Sequence, residues 1–137
     1  MALLDDIAVR FSSQAIAGLP NTTQLTDTGW TITKSFMPPT PDKVIGIFET
    51  GGFPPEVRPD LDYPTFQVRV RSGSTGYSTG REKLTACRDA LHGFASTTIN
   101  GVYYPSITAL SDAISLGFDN LNRPTVAQNF RALRSRN

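Results

Sequence analysis

The chain has 137 residues, 39% of them apolar and 18% charged, and a net charge of +1. That length suits one domain spanning residues 1–137, able to bury roughly two-thirds of its unfolded surface. The balanced charge lacks the overall basic excess of a dedicated duplex nucleic-acid binder, and no apolar run reaches the ~18 residues that cross a bilayer.

The single cysteine, Cys87, excludes an intrachain disulfide and suits a reducing compartment. At the N-terminus, MALLDDIAVRF places Asp5 and Asp6 where a targeting leader carries positive charge. The expectation is a soluble protein made in the cytoplasm, with no membrane partner.

Residues 2–18 space Leu3, Leu4, Ile7, Phe11 and Ile16 near a 3.6-residue period. This predicts an amphipathic helix, stopped by Gly18 and Pro20. GWTITKSFMPP (29–39) predicts a strand with Trp30, Ile32 and Phe36 on one face, closed by Pro38 and Pro39. DKVIGIFET (42–50) is apolar on both faces, as a strand in the middle of a sheet is.

Four prolines and two glycines between 51 and 64 predict a stiff, projecting loop carrying Phe53, Val57 and Leu61. TFQVRVR (65–71) alternates. Phe66, Val68 and Val70 point one way; Gln67, Arg69 and Arg71 point the other. Residues 77–95 predict a second helix with Leu84, Cys87, Leu91 and Phe94 on its inner face and Ser78 or Thr79 as its cap. Asn100-Gly101 between β-prone residues signals a hairpin. RPTVAQNFRALRS predicts a final strand, with Val126, Gln128 and Phe130 opposite Asn129, Arg131 and Leu133. The order predicts an α+β fold: a mostly antiparallel sheet, two helices packed on one face, and a strand-hairpin extension.

Strand, glycine-rich run, helix is also the order of a phosphate loop. That loop needs two glycines five residues apart, then Lys and Ser or Thr. Gly73, Gly76 and Gly80 miss this spacing, and Gly80 precedes Arg81-Glu82. No bound nucleotide or other cofactor is therefore expected. His92 is the sole histidine, and Cys87 sits five residues before it, about 500° around a helix. Those two do not make a zinc site, which takes at least three protein ligands. Without a G-x-S-x-G elbow no serine triad is indicated. The pairs Asp5/Asp6 and Asp60/Asp62 read as solvated carboxylates of a helix's first turn and of a loop. No catalytic group emerges, and no enzyme is expected.

The stretches DYPTFQVRVR, REKLTACRDALHGF and SLGFDNLNRPTVAQNFRALR carry a resemblance. Together with LLDDIAVRF they resemble the minor-capsid and tail-completion proteins of long-tailed phages. In that family an alternating strand precedes a helix, and a G-x-D-x-x-x-R-P turn leads into a strand with N-F. Here those residues are Gly117, Asp119, Arg123, Pro124, Asn129 and Phe130. The likeness covers roughly residues 1–18 and 42–134. It implies a tail terminator of the virion: a ring, as a hexamer, set on the last ring of tail tube protein. Such a ring joins the tube to the head connector protein, and DNA passes through its lumen without specific binding. Candidate contact residues are Phe53, Val57, Arg58 and Leu61 of the proline-rich loop, with Arg69, Arg71, Arg131 and Arg134. The alternatives are a head-completion or stopper protein, a small nucleotide-binding module using the 72–81 loop, and a host-side adaptor.

Overall fold

The structure, a computed structural model, describes residues 3–7, 31–39, 42–54, 61–73, 76–92, 96–99 and 101–135. Val57, Arg58, Trp30, Phe94 and most of the first predicted helix lie outside them. Helix α1 is described over residues 3–7. The strands follow as β1 (Thr31–Lys34), β2 (Val44–Glu49), β3 (Leu61–Asp62) and β4 (Thr65–Arg71). Helix α2 (Tyr77–Leu91) comes next, then β5 (Thr97–Ile99), β6 (Val102–Tyr104), β7 (Ser106–Ala109), β8 (Ile114–Phe118) and β9 (Pro124–Ser135).

The main sheet runs β1-β2-β4-β9, and among the described strands only β1 and β2 pair in parallel. β9 is the spine. Along one edge it takes β4 and then, at its far end, β3. Along the other it takes β8 and then β7. β5 and β6 form the predicted hairpin, and Gly101 turns it at φ +78°, a dihedral that L side chains avoid. The architecture is the α+β one expected, although β3, β7 and β8 were not foreseen.

β4 has the predicted bounds and orientation. Phe66, Val68 and Val70 are fully buried and face Phe130, Gln128 and Val126 across the β4–β9 ladder. The Phe66 and Phe130 rings stack with centroids 5.4 Å apart. Leu3, Leu4 and Ile7 of α1 join this core, as do Leu84, Cys87 and Leu91 of α2. Gln128 is the polar member of this β4–β9 row; its Nε2 donates to the Ser111 carbonyl at 2.7 Å, so its burial leaves no orphaned donor. Burial pushes the Cys87 thiol up to about 12, which keeps it a protonated core group.

Helix α2 starts from Gly76, without a side-chain cap, rather than from Ser78 or Thr79. The cause is Ser72. Its hydroxyl donates to the Gly76 carbonyl at 2.6 Å and lies 3.0 Å from where a Cβ on Gly80 would sit. Gly76 and Gly80 let β4 and α2 approach closely, which accounts for those two glycines without a phosphate; Gly73 has ordinary space around it. His92 caps the other end of the helix, and its Nδ1 accepts the Ala109 N–H at 2.9 Å.

Candidate functional site

With the helices on one face, the other face of the sheet carries cross-strand rows. Phe48, Gln67 and Asn129 form one row; Gly46, Arg69 and Ala127 form the next; Val44, Arg71 and Thr125 form a third. Alternation in β4 alone fixes which of its residues belong here. Gln67 Nε2 donates to Asn129 Oδ1 at 3.0 Å, and Arg69 Nε donates to Gln67 Oε1 at 2.5 Å. The Arg69 guanidinium lies 4.4 Å from the centre of the Phe48 ring, a favourable placement for a cation. Among the described residues no carboxylate pairs with Arg69. Its charge is held in place but not neutralised.

Arg71 lies on the same face, yet it is only 5% exposed. Its Nε donates to the Asp42 carbonyl at 3.0 Å, and burial, then the neighbouring Arg123, depress its pKa. Arg123 is equally buried. Its Nη1 donates to the Pro39 carbonyl at 2.6 Å and meets Asp42 Oδ1 at 3.2 Å; its Nε meets Asp119 Oδ2 at 2.8 Å. The two arginines clamp the chain before β2 to the turn between β8 and β9. Arg71 was expected to point outward; alternation gave its face correctly, but long-range partners cover it.

Asp119 organises that turn. Its Oδ1 accepts the N–H groups of Leu121 (2.9 Å) and Arg123 (3.0 Å). Asn122 takes a left-handed φ of +60°, which asparagine tolerates. The Arg123 N–H, helped by the Leu121 N–H and the Arg123 guanidinium, holds the Asp119 carboxyl below its usual value. A carboxyl depressed in the folded state stabilises above its unfolded pKa of ~3.9, and that contribution fades as pH falls through the folded value. In an NMR titration the Leu121 and Arg123 amide resonances should therefore move together below about pH 4. Asp119→Asn should abolish that shared step.

β8 departs from any alternation of burial. All five of its residues are exposed, with Ile114 at 40%, Leu116 at 48% and Phe118 at 62%; Leu121 in the following turn is at 61%. Its pairing with β9 shifts register between Ser115 and Phe118, where Gly117 has φ +84°. The strand is thus an apolar arm at the sheet's edge, beside a groove of about 260 Å3 floored by Arg69 and Arg71 and walled by Met37, Leu116 and Phe118. Sequence reading missed it. The I-S-L-G-F alternation was visible, but it was absorbed into the turn that follows.

At the opposite end of β9 lies a cavity of about 310 Å3. Leu3, Phe53 and Pro64 give it apolar walls, and Glu49, Asp62 and Arg134 give it polar ones. Phe53, 53% exposed, bridges to Tyr63, and the Arg131 guanidinium lies 6.0 Å from its ring centre. Of the predicted contact residues, Phe53, Arg131 and Arg134 come together here, with Leu61 in adjacent β3. Arg69 and Arg71 sit across the sheet, at the other groove. Beneath the cavity Asp6, expected in solvent, is fully buried and accepts the Tyr104 hydroxyl. Burial and that carboxylate raise the Tyr104 pKa; a hydrogen bond from Arg134 to the same hydroxyl opposes them.

The sequence model described as "Bacteriophage tail terminator protein" matches residues 21–135. The chain belongs to the bacteriophage tail terminator family. It is a structural protein of the phage tail, located in the virion. A search of curated proteins finds no match. Among solved structures, a chain of the "Virion of native gene transfer agent (GTA) particle" superposes on the terminator with a TM-score of 0.71 at 16% identity. The alignment covers 98% of the terminator and 95% of that chain, which establishes a common fold. Among the described residues no group of three or more His, Cys, Asp or Glu could hold a metal, and no helix is long and apolar enough to cross a membrane.

Proposed function

We propose that this subunit ends the tail by capping it. Copies form a ring, a hexamer, on the last ring of tail tube protein, and the ring stops tube polymerisation. Its other side receives the head connector protein, and DNA passes through the lumen. Membership of the tail terminator family carries this reading. The surface supports it: one sheet face is covered by helices, while the other presents an unneutralised Arg69 beside an exposed apolar arm. Such a division suits a subunit built to meet neighbours. A net charge of +1 suits a lumen through which DNA slides, because many phosphate contacts would hold it.

Electron microscopy of tail tubes assembled with and without the purified protein tests the proposal. Tubes of fixed length with a cap at one end are expected, and uncapped tubes of variable length would sink the idea. A stopper protein would instead bind the connector and ignore the tube.

Arg69→Glu separates assembly from folding. The side chain is partly exposed, and its cation–π contact is worth about 1 kcal/mol or less. The variant should melt close to wild type, stay soluble and fail to cap tubes. A soluble variant that still caps would remove Arg69 from the contact surface.

A further inference from the structure

We infer that the groove beside β8 binds a segment of a different protein, one in which a carboxylate stands next to a large apolar side chain. The inference rests on the assembly reading above and gives the chemistry of one contact.

The anchor is Arg69. Its Nε donates to Gln67 Oε1, Gln67 is in turn held by Asn129, and the guanidinium lies against the Phe48 ring. Side chains of three adjacent strands, β2, β4 and β9, thus fix its direction. Its two terminal nitrogens meet no acceptor among the described residues. They are not sealed in: the buried side-chain atoms without a partner belong to Ser111, Arg131 and Arg134. An arginine so presented offers a carboxylate two parallel N–H groups, with little side-chain freedom left to lose.

The charge around it calls for an anion. Arg69 and Arg71 line the groove with a single carboxylate, Asp119. Both Asp119 oxygens are already engaged, Oδ1 by the Leu121 and Arg123 N–H groups and Oδ2 by Arg123 Nε. Asp42 also faces Arg123, and Arg71 is drawn beneath the surface beside both carboxylates. Arg71 and Arg123 are thereby balanced by Asp42 and Asp119, and Arg69 remains as the excess charge.

The walls determine what accompanies the anion. Met37, Leu116 and Phe118 are apolar, and Phe118 is largely exposed. Met37 lies over the sheet because Gly46 leaves room for it; a Cβ there would come within 2.4 Å of Met37 Sδ. At about 260 Å3 the groove is smaller than the ~300–1,000 Å3 of small-molecule sites and suits one or two side chains. A nucleic-acid backbone fits poorly. It brings charge without apolar surface, and Arg69 alone would give it a single phosphate contact where binding takes several.

Exposed Leu110 with Asp112 is this chain's own version of such a segment. It lies beside the groove, on the edge of β9 that carries β8, so copies exchanging it would close as pairs and not continue into a ring. The occupant is therefore a different protein.

Capped tetrapeptides are the probes, titrated into the full chain by NMR. Gly-Phe-Glu-Gly should move the Arg69 Nε–H and the Leu116 and Phe118 amide resonances, with a Kd on the order of 1 mM. Gly-Phe-Gln-Gly and Gly-Ala-Glu-Gly should each bind about 10-fold more weakly, the first for want of charge and the second for want of a ring. Arg69→Gln should erase the preference for Glu over Gln, and Phe118→Ala the preference for Phe over Ala. Both side chains are at least partly exposed, so the variants should fold, and the wild-type ranking is a test without them. Equal binding of the Glu and Gln peptides to wild type would overturn the inference. So would an oligothymidylate that moves these resonances in preference to the Glu peptide, or a wild-type dimer that Asp112→Asn dissociates. None of these readouts involves tail tubes. Tubes capped by a protein that ignores the peptides would overturn this contact alone, and uncapped tubes with peptide binding intact would overturn only the capping reading.

Discussion

Val68→Asp should leave no folded protein at 25 °C. Val68 is fully buried in the middle of β4, with Ile47 opposite it on one side and Gln128 on the other. A carboxylate there has no cationic partner, and the Gln128 amide already donates to Ser111. The group must either stay charged in an apolar layer or take up a proton, and each route costs several kcal/mol. A domain of this kind holds only about 5–15 kcal/mol in total. Val68→Ala is the control. It deletes two buried methyl groups and should cost about 2 kcal/mol, lowering the urea midpoint without unfolding the protein. A Val68→Asp protein with an unchanged melting temperature would show that this strand face is not the packed one.

Asp6→Ala should cost about 3 kcal/mol, more than its place near the N-terminus suggests. The carboxylate is fully buried and accepts the hydroxyl of Tyr104, itself fully buried and hydrogen-bonded by Arg134. Removing Asp6 leaves that hydroxyl without an acceptor and the Arg134 cation without the nearby negative charge. Tyr104→Phe should cost less, about 1–2 kcal/mol, because the ring keeps its packing. The double variant should fall well short of the sum, because the second change removes a group the first has already orphaned. Urea melts of the four proteins close this cycle. Strict additivity would mean that the two side chains do not act as a unit.

These two sites differ in how much the sequence disclosed. Val68 was legible because burial in β4 follows a period of two, and the pattern lies within seven residues. The Asn100-Gly101 hairpin and the inner face of α2 were legible for the same reason: the signal is local. Asp6 was not, because its partner stands 98 positions away. Arg71 was half legible. Alternation placed it on the outer face, but Asp42 and Arg123, which cover it, arrive from distant parts of the chain. β8 failed differently. Its apolar residues alternate as a half-buried strand should, but no layer covers them, so nothing distinguished them from an ordinary turn flank. The glycines of the 72–80 connection invited a ligand. For Gly76 and Gly80 the cause is the Ser72 side chain lodged against the start of α2.

The central strand of this sheet is also its latest in the chain. β4, β3, β7 and β8 all find their hydrogen-bond partners in β9, whose residues emerge from the ribosome after every other described element. Until then β4 has one edge unpaired, β8 has neither edge paired, and half the core has nothing to close on. Such non-local pairing slows folding, and waiting strand edges invite association with the wrong chain. A chain with this many late-pairing strand edges must therefore avoid associating through them during synthesis. Synthesis at low concentration, or rapid closure once β9 is complete, would meet that demand, and refolding yield should fall as chain concentration rises.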